Sequence, residues 1–493
     1  MPTRRKILQL GGLAALTPAR SDTPGPGPPQ LTGYDTPLPP ERTDYKLDIG
    51  VGVLELSPDA AVSTRLYNGQ FPGPLLRMRE GSSVTVDIGN ATSEPEQLHW
   101  HGQFLPPDTD GAAEEGTPYI PAHGRRRVVI HPRPAGFRFY HTHLAAGADL
   151  SLGLYSGLAG LVIVEPRQEK GDYDREAFLT LKEFGPYLNH VEMPAGFLAP
   201  QDRSRALFDL DQVAIKASLA RGRQPGYQLG YSFYAINGRM LGHGEPIRVR
   251  PGERVRFEVL NASASEIRSL ALPGHVFEVV ALDGNPVPNP AKVPVLWLAP
   301  AERISAIVEM TTPGVWVLGD LDAGARDGGM GVVVEYAGAS GSPQWRRPEP
   351  FFWDYRRFTR PDARAAEPDE EIALTFTTDY GARNGFDVFS INGQSFSMET
   401  MSPMFHTRFG RRYRLRLRNA TDDVHPLHLH RHTFEVTSIA GNPTAGVMKD
   451  VVMIGQFQEM SIDFTADQPG LSLFHCHMQP HMDLGFMALF ECR

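Results

Sequence analysis

The stretch Leu473–Met487, which reads LFHCHMQPHMDLGFM, places one cysteine among three histidines near the end of the chain. Thiolate and imidazole together form a soft, nitrogen-rich ligand set that suits copper or zinc rather than magnesium or calcium. Because successive side chains of a strand point to opposite faces, Cys476 would hold one metal while His475 and His477 hold a second centre behind it. Two centres joined by a few covalent bonds indicate electron transfer, which argues against zinc because zinc has no redox chemistry.

This stretch belongs to an element that occurs three times, in Gly136–Glu165, Gly314–Glu335 and Gly470–Glu491. A second element also recurs and comprises an Asn-Gly turn, a strand and an Asn-Ala-Ser/Thr turn. Period-two alternation of apolar residues marks these strands as half-buried. The equivalent positions of the three Asn-Ala-Ser/Thr sequences indicate a role in turns rather than glycosylation.

The repeats predict an all-β protein with three homologous Greek-key β-sandwich domains, at residues 45–168, 172–338 and 370–493. A long connection, residues 339–369, joins the second domain to the third. The 49 glycines and 43 prolines of the 493-residue chain agree with many turns. With only two cysteines, one of them in the metal motif, we expect no structural disulfide.

The first 44 residues predict an export signal followed by a lead-in rich in proline and glycine. Arg4 and Arg5 precede a short apolar run, which is typical of a twin-arginine signal. We therefore expect a bacterial protein that is periplasmic or secreted. The run is too short to span a bilayer, and no other segment reaches that length. The net charge of −9 argues against nucleic-acid binding.

Aligning the repeats sorts the histidines into equivalent pairs from the first and third domains. The pairs are His99 with His428, His101 with His430, His141 with His475, and His143 with His477. We expect these eight side chains to meet at an interface between the two domains, with both rings of each His-x-His pair on one face of its strand.

The middle domain has lost these ligands. His425, His428 and His430 align with Arg268, Ala271 and Pro273, and the His-Cys-His trio aligns with Gly319-Asp320-Leu321. The middle domain should therefore be free of metal. His432 keeps a counterpart, His275, in this metal-free copy, which indicates a structural role for both. Glu96 is the first-domain counterpart of His425, so the thiolate centre is expected only in the third domain.

Four motifs make the chain resemble the multicopper oxidases, the family of laccases, ascorbate oxidase and bacterial cuprous oxidases. The motifs are His99-Trp-His101-Gly, His141-Thr-His143, His425-Pro-Leu-His428-Leu-His430, and His475-Cys476-His477 with His481. The resemblance covers about residues 45–493 and implies three cupredoxin-like domains. It also implies four copper ions, namely one type 1, one type 2 and a type 3 pair.

The resemblance assigns a ligand set to each copper. The type 1 ion takes His425, Cys476 and His481, and the type 2 ion takes His99 and His428. One type 3 ion takes His101, His141 and His477, and the other takes His143, His430 and His475. The axial type 1 position of the family, five residues after the last histidine, falls on Phe486, which does not coordinate. A one-residue bulge that places Met487 there is the alternative.

The implied reaction is the one-electron oxidation of a reducing substrate, coupled to the four-electron reduction of dioxygen to water. Electrons would pass through Cys476 to the histidines beside it. Asp110 matches the acidic position of the family's His-x-His-Gly…Asp-Gly pattern and would serve proton transfer, with a turn residue as the alternative. Some bacterial members carry a glutamate directly after the last histidine. This chain has Met482 there, which leaves a second acid in doubt.

The reducing substrate stays open between a phenol or aromatic amine, as for a laccase, and a metal ion such as Cu(I). Met398, Met401 and Met404 favour the metal ion because thioethers bind Cu(I), although methionine also packs well in cores and turns. A periplasmic copper-sequestering protein without enzyme activity is a third hypothesis, which the complete ligand set disfavours. Apart from dioxygen and the reductant we expect no partner, and the protein is predicted to be a monomer.

Overall fold

A computed structural model of the protein describes residues 43–166, 171–191 and 226–493. The predicted export signal and nearly all of the lead-in lie outside the described residues. Within the described ranges, no helix is both long enough and apolar enough to cross a membrane.

The first domain forms two four-stranded sheets. Its strands are β1 (Tyr45–Ser57), β2 (Ala60–Tyr67), β3 (Gly73–Arg79), β4 (Val84–Asn90), β5 (His99–His101), β6 (Arg125–Ile130), β7 (Gly136–His141) and β8 (Ala159–Glu165). The sheet orders are β2-β1-β4-β6 and β3-β8-β7-β5. Burial alternates along β4, as expected for a strand that packs one face on a core.

The middle domain has a six-stranded and a five-stranded sheet. Its strands are β9 (Arg175–Val191), β10 (Gly226–Ile236), β11 (Ile247–Val249), β12 (Arg254–Asn261), β13 (Arg268–Ala271), β14 (Phe277–Leu282), β15 (Asn285–Val293), β16 (Leu296–Leu298), β17 (Arg303–Glu309), β18 (Val315–Asp320) and β19 (Gly331–Tyr336). The orders are β10-β9-β12-β17-β14-β15 and β11-β19-β18-β13-β16.

The third domain repeats this plan. Its strands are β20 (Glu370–Arg383), β21 (Phe386–Ile391), β22 (Phe405–Thr407), β23 (Arg412–Asn419), β24 (His425–Leu429), β25 (Phe434–Ile439), β26 (Asn442–Pro443), β27 (Met448–Lys449), β28 (Val451–Ile454), β29 (Glu459–Thr465), β30 (Gly470–Cys476) and β31 (Met487–Cys492). One sheet runs β21-β20-β23-β29-β25-β26, with β27 on β25, and the other runs β22-β31-β30-β24-β28. The prediction of an all-β protein built from three β-sandwiches is confirmed.

Among the residues that the structure describes, helical structure is confined to short turns in the connections. The α-helical turns are α1 (Pro107–Asp110), α2 (Ala323–Asp327) and α3 (Gln479–Asp483), and the 3-10 turns span Ala113–Glu115, Gly153–Tyr155, Tyr355–Phe358 and Met398–Thr400. α2 and α3 each follow the first strand of the corresponding repeated element, which is β18 for α2 and β30 for α3. The turn Tyr355–Phe358 anchors the connection between the second and third domains. Phe358 in this turn and Trp353 just before it are buried in the apolar core that the two domains share.

Strand register relates the three copies at the positions that matter for the site. The cross-strand pairs are His99 with His141 on β5 and β7, Leu270 with Asp320 and Ala271 with Gly319 on β13 and β18, and Leu427 with Cys476 and His428 with His475 on β24 and β30. Equivalent residues therefore occupy equivalent places in the three sheets. This register matches the alignment of the histidine motifs with the middle domain.

Candidate metal centres

Three side chains of the third domain converge at one end of β24 and β30. Cys476 Sγ lies 3.6 Å from His425 Nδ1 and 3.4 Å from His481 Nδ1, and the two Nδ1 atoms are 3.1 Å apart. His425 makes a 2.7 Å hydrogen bond through Nε2 with Thr421 Oγ1, which turns its Nδ1 toward the sulfur. The two strands and α3 thus hold one thiol and two imidazole nitrogens at metal-binding spacing.

Burial controls the protonation of Cys476 and His425. It raises the pKa of the Cys476 thiol well above its ordinary value and lowers the pKa of His425, so the imidazole stays neutral. A bound cation would reverse the effect on the thiol, because a coordinating sulfur is deprotonated outright. His481 is the half-buried member of the trio, while the other two residues are buried.

A phenyl ring packs beside this trio. The ring centroid of Phe486 lies 4.7 Å from that of His425, and Phe486 is fully buried. Met487 lies in a separate apolar cluster with Leu473, Met482 and Leu489. The two neighbours thus pack into different clusters, as expected for consecutive residues at the start of a strand.

The eight paired histidines of the first and third domains form one continuous buried cluster. Its imidazole rings come from β5, from β7 and the residues just after it, from β24 and the residue after it, and from β30 and the residue after it. His101 stacks on His428 with ring centroids 3.8 Å apart, and His99 stacks on His430 at 4.0 Å. Ligand atoms gather in the groups His99–His101–His428, His101–His141–His477 and His143–His430–His475.

Hydrogen bonds to main-chain carbonyls orient several of these imidazoles. Four Nδ1–H groups donate to main-chain carbonyl oxygens at 2.7–2.9 Å. The pairs are His99 to Asp110, His141 to Thr142, His428 to Asp450 and His475 to Cys476. The opposite nitrogens then face the centre of the cluster. Nε2 of His99 and His428, and both ring nitrogens of His143 and His477, are buried without a hydrogen-bond partner.

So many buried ring nitrogens without a hydrogen-bond partner destabilise the fold unless a cation binds them. Burial lowers the pKa of His141, His143 and His477 well below the ordinary value, so each imidazole stays neutral and keeps one unprotonated nitrogen. Neutral imidazole is the form that ligates copper. The donor set of both centres therefore fits the copper ions that the motifs predict.

Asp110 lies against two of these histidines from the end of α1. Its Oδ2 atom is 2.9 Å from His430 Nδ1 and 3.0 Å from His99 Nδ1, whereas Oδ1 is buried without a partner. Gly111 makes this placement possible, because a Cβ there would lie 2.0 Å from Leu98 O and its φ is 108°. Asp110 is thus in contact with the cluster, where a proton-transfer residue is needed.

Two glutamates beside the cluster were not anticipated. In the 3-10 turn after Gly111, Glu115 Oε1 lies 3.4 Å from His430 Nδ1, and Glu114 Oε2 lies 3.6 Å from His143 Nδ1. Burial raises the pKa of both carboxyls, so both tend to hold a proton. The acidic pair, which follows the Asp110-Gly111 turn after two alanines, was a signal that could have identified them. They supply acidic groups that Met482 does not.

In the middle domain the equivalent of the thiolate centre holds an ion pair. Arg268 and Asp320 occupy the positions of His425 and Cys476, with 3.8 Å between NH1 and Oδ2. Arg268 also lies 3.7 Å from Glu183. Among the described residues, every group with metal-binding spacing belongs to the first and third domains. That the middle domain is free of metal stays a prediction.

His275 and His432 share one local structure. Nδ1 of His275 donates to Pro273 O, and Nδ1 of His432 donates to His430 O, each over 2.9 Å. The same hydrogen bond therefore forms in a domain that has the ligands and in a domain that lacks them. This favours the structural role proposed for both histidines.

A cavity of about 700 Å³ opens beside the half-buried His481. Residues of all three domains line it. The apolar part of the lining includes Tyr155, Tyr227, Ile267, Phe386, Phe389 and Leu484, and the acidic part includes Glu266, Asp387, Asp422, Asp423 and Asp483. The Phe389 ring lies 4.2 Å from the His481 ring, so the cavity reaches the thiolate centre through this imidazole.

Three family models, each described as multicopper oxidase, match residues 51–169, 209–328 and 365–493. The chain is 28% identical to multicopper oxidase MmcO of Mycobacterium tuberculosis over 98% of this chain and 90% of that protein. It is 27% identical to copper resistance protein A of Escherichia coli over 55% and 46%, respectively. A solved multi-copper oxidase from Pseudomonas thermotolerans superposes with a TM-score of 0.67, at 26% identity, over 92% of this chain and all of that one.

Proposed function

Since the chain belongs to the multicopper oxidase family, whose members are copper oxidoreductases that use dioxygen, we propose that it oxidises a small phenol or aromatic amine. The observation that carries the proposal is the cavity beside His481. Its volume of about 700 Å³ is within the usual range for a site that binds an organic molecule. A bare metal ion needs no such space.

The lining of the cavity suits an aromatic reductant. Phe386, Phe389 and Tyr227 offer apolar and aromatic surface, and the imidazole of His481 is the half-buried end of the thiolate centre. Asp422, which accepts a hydrogen bond from the Tyr380 hydroxyl, and Asp387 bring carboxylates to the same space. A carboxylate can accept the proton that a phenol or an arylamine loses as it is oxidised.

In this proposal the type 1 ion is held by His425, Cys476 and His481, and the other three ions are held by the eight paired histidines. When bound, four copper ions supply the four electrons that convert one dioxygen to two waters. Asp110 orients His430 and His99 through its carboxylate and is placed to hold a proton beside the cluster. The backbone of Cys476 links the two centres through His475 and His477 on the same strand.

Oxidation of Cu(I) is the second candidate. Met398 and Met401 are 47% and 41% exposed, which leaves two thioethers accessible on the third domain. A relative named copper resistance protein A adds weight to this candidate. Neither methionine lines the cavity beside His481, so the two candidates predict different sites of substrate entry.

Steady-state oxygen uptake with each reductant tests the proposal. With 2,6-dimethoxyphenol or a phenylenediamine, activity should fall in Phe386→Ala and Asp387→Asn, while Met398→Leu with Met401→Leu should change it little. If Cu(I) is the reductant, the methionine variants lose activity and the cavity variants keep it. If the fully copper-loaded protein takes up no oxygen with either reductant, a copper-sequestering protein would be favoured instead.

We also propose that the chain is exported through the twin-arginine route, because Arg4 and Arg5 precede a short apolar run. Residues 1–44 fused to a prefolded reporter should carry it into the periplasm. Arg4→Lys combined with Arg5→Lys should abolish export. Export of the double variant at the rate of the original sequence would refute the proposal.

A further inference from the structure

A buried cluster of charged side chains lies where the three domains meet. Arg138 comes from the first domain, Asp283, Glu302 and Arg303 from the middle domain, and Lys449 and Asp450 from the third. Buried ion pairs are often no more stabilising than apolar packing, because removing both charges from water is costly. A cluster of this size therefore invites a role beyond stability.

Asp450 is the member of the cluster with the most charged contacts to its carboxylate. Arg303 binds it in a bidentate manner, with both guanidinium nitrogens 2.6 Å from its two oxygens, and Arg138 NH1 lies 3.1 Å from Oδ2. Its backbone N–H faces Asp283 Oδ2 at 3.3 Å. Such contacts fix both the charge and the orientation of the carboxylate.

Asp450 also contacts two residues of the buried histidine cluster, one through its side chain and one through its main chain. Asp450 Oδ1 accepts from His101 Nε2 at 3.1 Å, and the main-chain oxygen of Asp450 accepts from His428 Nδ1 at 2.7 Å. As a result, His101 turns Nδ1 inward, to 3.3 Å from His141 Nε2, while His428 turns Nε2 inward. The two stacked imidazoles thus face the cluster with opposite nitrogens.

We propose that Asp450 is a positioning residue that sets the opposite tautomers of His101 and His428, so that copper binds His101 through Nδ1 and His428 through Nε2. The inference rests on the proposed copper assignment. The proton on each imidazole follows from the hydrogen bond made by its other nitrogen. The ion cluster couples this orientation to all three domains, because Arg138 and Arg303 hold the carboxylate from the other two.

Gly102 is part of the same arrangement. A Cβ at this position would lie 2.5 Å from Asp450 Oδ2 and 3.0 Å from Arg303 NH2, and its φ is 76°. The residue that follows His101 must therefore be small to let the carboxylate reach the imidazole. This gives the His-x-His-Gly motif a physical reason for its glycine.

The first experiment compares Asp450→Asn with Asp283→Asn in copper-loaded protein. Both variants remove one carboxylate from the buried ion cluster. The Asp283 side chain, however, is bonded to Arg303, Lys449 and the main chain of Asp450, and not to a histidine of the candidate copper site. Asp450→Asn should weaken copper binding at the three-copper site about 10- to 100-fold, as for other supports of metal ligands. The blue band of the type 1 ion should persist in the same sample and report that the protein is folded. The two type 3 ions are silent in EPR when they are magnetically coupled. Copper loss that breaks this pair in Asp450→Asn should therefore raise the EPR-detectable fraction of the remaining copper.

Asp283→Asn should lower the unfolding temperature but keep the copper content and the EPR-silent fraction. Equal copper loss in the two variants, or none in Asp450→Asn, would overturn the inference and leave Asp450 as a structural residue. Absence of the blue band from the parent protein would instead refute the copper assignment.

A second experiment does not depend on folding of a variant at Asp450. In the fully reduced protein all copper is Cu(I) and diamagnetic, so nitrogen-15 spectra of histidine-labelled protein report each tautomer. The His101 signals, identified by their loss in His101→Gln, should show a protonated Nε2 and a metal-bound Nδ1. A protonated Nδ1 at His101 would contradict the proposal.

Discussion

At the scale of single residues, the chemistry is concentrated in side chains whose hydrogen bonds decide which atom they present. Thr421 turns His425 so that Nδ1 faces Cys476, and the carbonyl of Cys476 turns His475 so that Nε2 faces the cluster. Cys476 therefore contributes its sulfur to one centre and its main chain to the next. Cys492, the other cysteine, is also buried, and its Sγ donates to Ala466 O at 3.5 Å.

Cys476→Ser should abolish the blue absorption and the oxygen uptake while the type 2 and type 3 ions remain bound. The reason is that the hydroxyl cannot replace a soft thiolate, whereas the histidines of the cluster are untouched. Copper analysis with visible and EPR spectra provides the measurement. Cys492→Ser is the matched control and should keep the blue band. A blue Cys476→Ser protein would refute the assignment.

Phe486→Met should lower the potential of the type 1 ion, because a weak axial thioether stabilises Cu(II). Phe486 packs against His425, whereas Met487 packs with Leu473 and Met482. Met487→Leu should therefore leave the potential nearly unchanged. Redox titration of the blue band decides the matter, and a rise in Met487→Leu with no change in Phe486→Met would show that Met487 is axial.

At the scale of elements, equivalent places in the three domains carry different pairs of polar residues. Strands β24 and β30 carry His425 and Cys476. Strands β13 and β18 carry the ion pair of Arg268 with Asp320. In the first domain, Thr142 Oγ1 donates to Glu96 Oε1 at 2.5 Å. A polar pair inside a sandwich needs a partner or a metal, and each copy satisfies this need with different residues.

Arg268→Met should lower the free energy of unfolding by about 3–5 kcal/mol, because Asp320 and Glu183 would lose their buried partner. Copper content should not change. Denaturant titration with copper analysis checks both statements. Arg248→Met is the control, since Arg248 pairs with Glu245 on the surface, where such a pair is worth little. Equal effects of the two substitutions, or copper loss in Arg268→Met, would contradict the assignment of the middle domain.

At the scale of the whole molecule, the cluster exists only when the first and third domains meet, and the ion cluster around Asp450 adds the middle domain. Burial lowers the pKa of ten described histidines, eight of which belong to the candidate centres. It raises the pKa of six carboxyl groups, with Glu258 and Asp483 at about 7. Unfolding therefore takes up protons at the histidines and releases protons from the carboxyls.

The copper-free protein should lose stability as the pH falls below about 6.5, the ordinary histidine value. A depressed folded pKa means that the unfolded state binds more protons there, so stability is present above that pH and is lost below it. Each histidine contributes up to about 1.4 kcal/mol per pH unit, and the six carboxyls oppose the trend. Unfolding temperatures from pH 7.5 to 5.5 test this. A temperature that is constant or higher at pH 5.5 would show that the carboxyls dominate.

The three repeats, the order of the ligand motifs and the loss of ligands from the middle copy can all be read from the amino-acid sequence. These are local properties: an alternating strand and a His-x-His pair are readable within a few residues, and the repeats can be aligned without a structure. The prediction that Phe486 is axial also rests on a local spacing, the five residues that separate it from His481.

Contacts between segments that are distant in the sequence are visible in the folded protein alone. Glu114 and Glu115 reach His143 and His430 because a turn in the first domain is packed against the third. Asp450 meets His101 across 349 residues of sequence. The cavity beside His481 is built from all three domains. Such contacts depend on how complementary surfaces pack, and no periodicity or spacing within one segment encodes which distant side chain fills the remaining hydrogen bond or faces the same cavity.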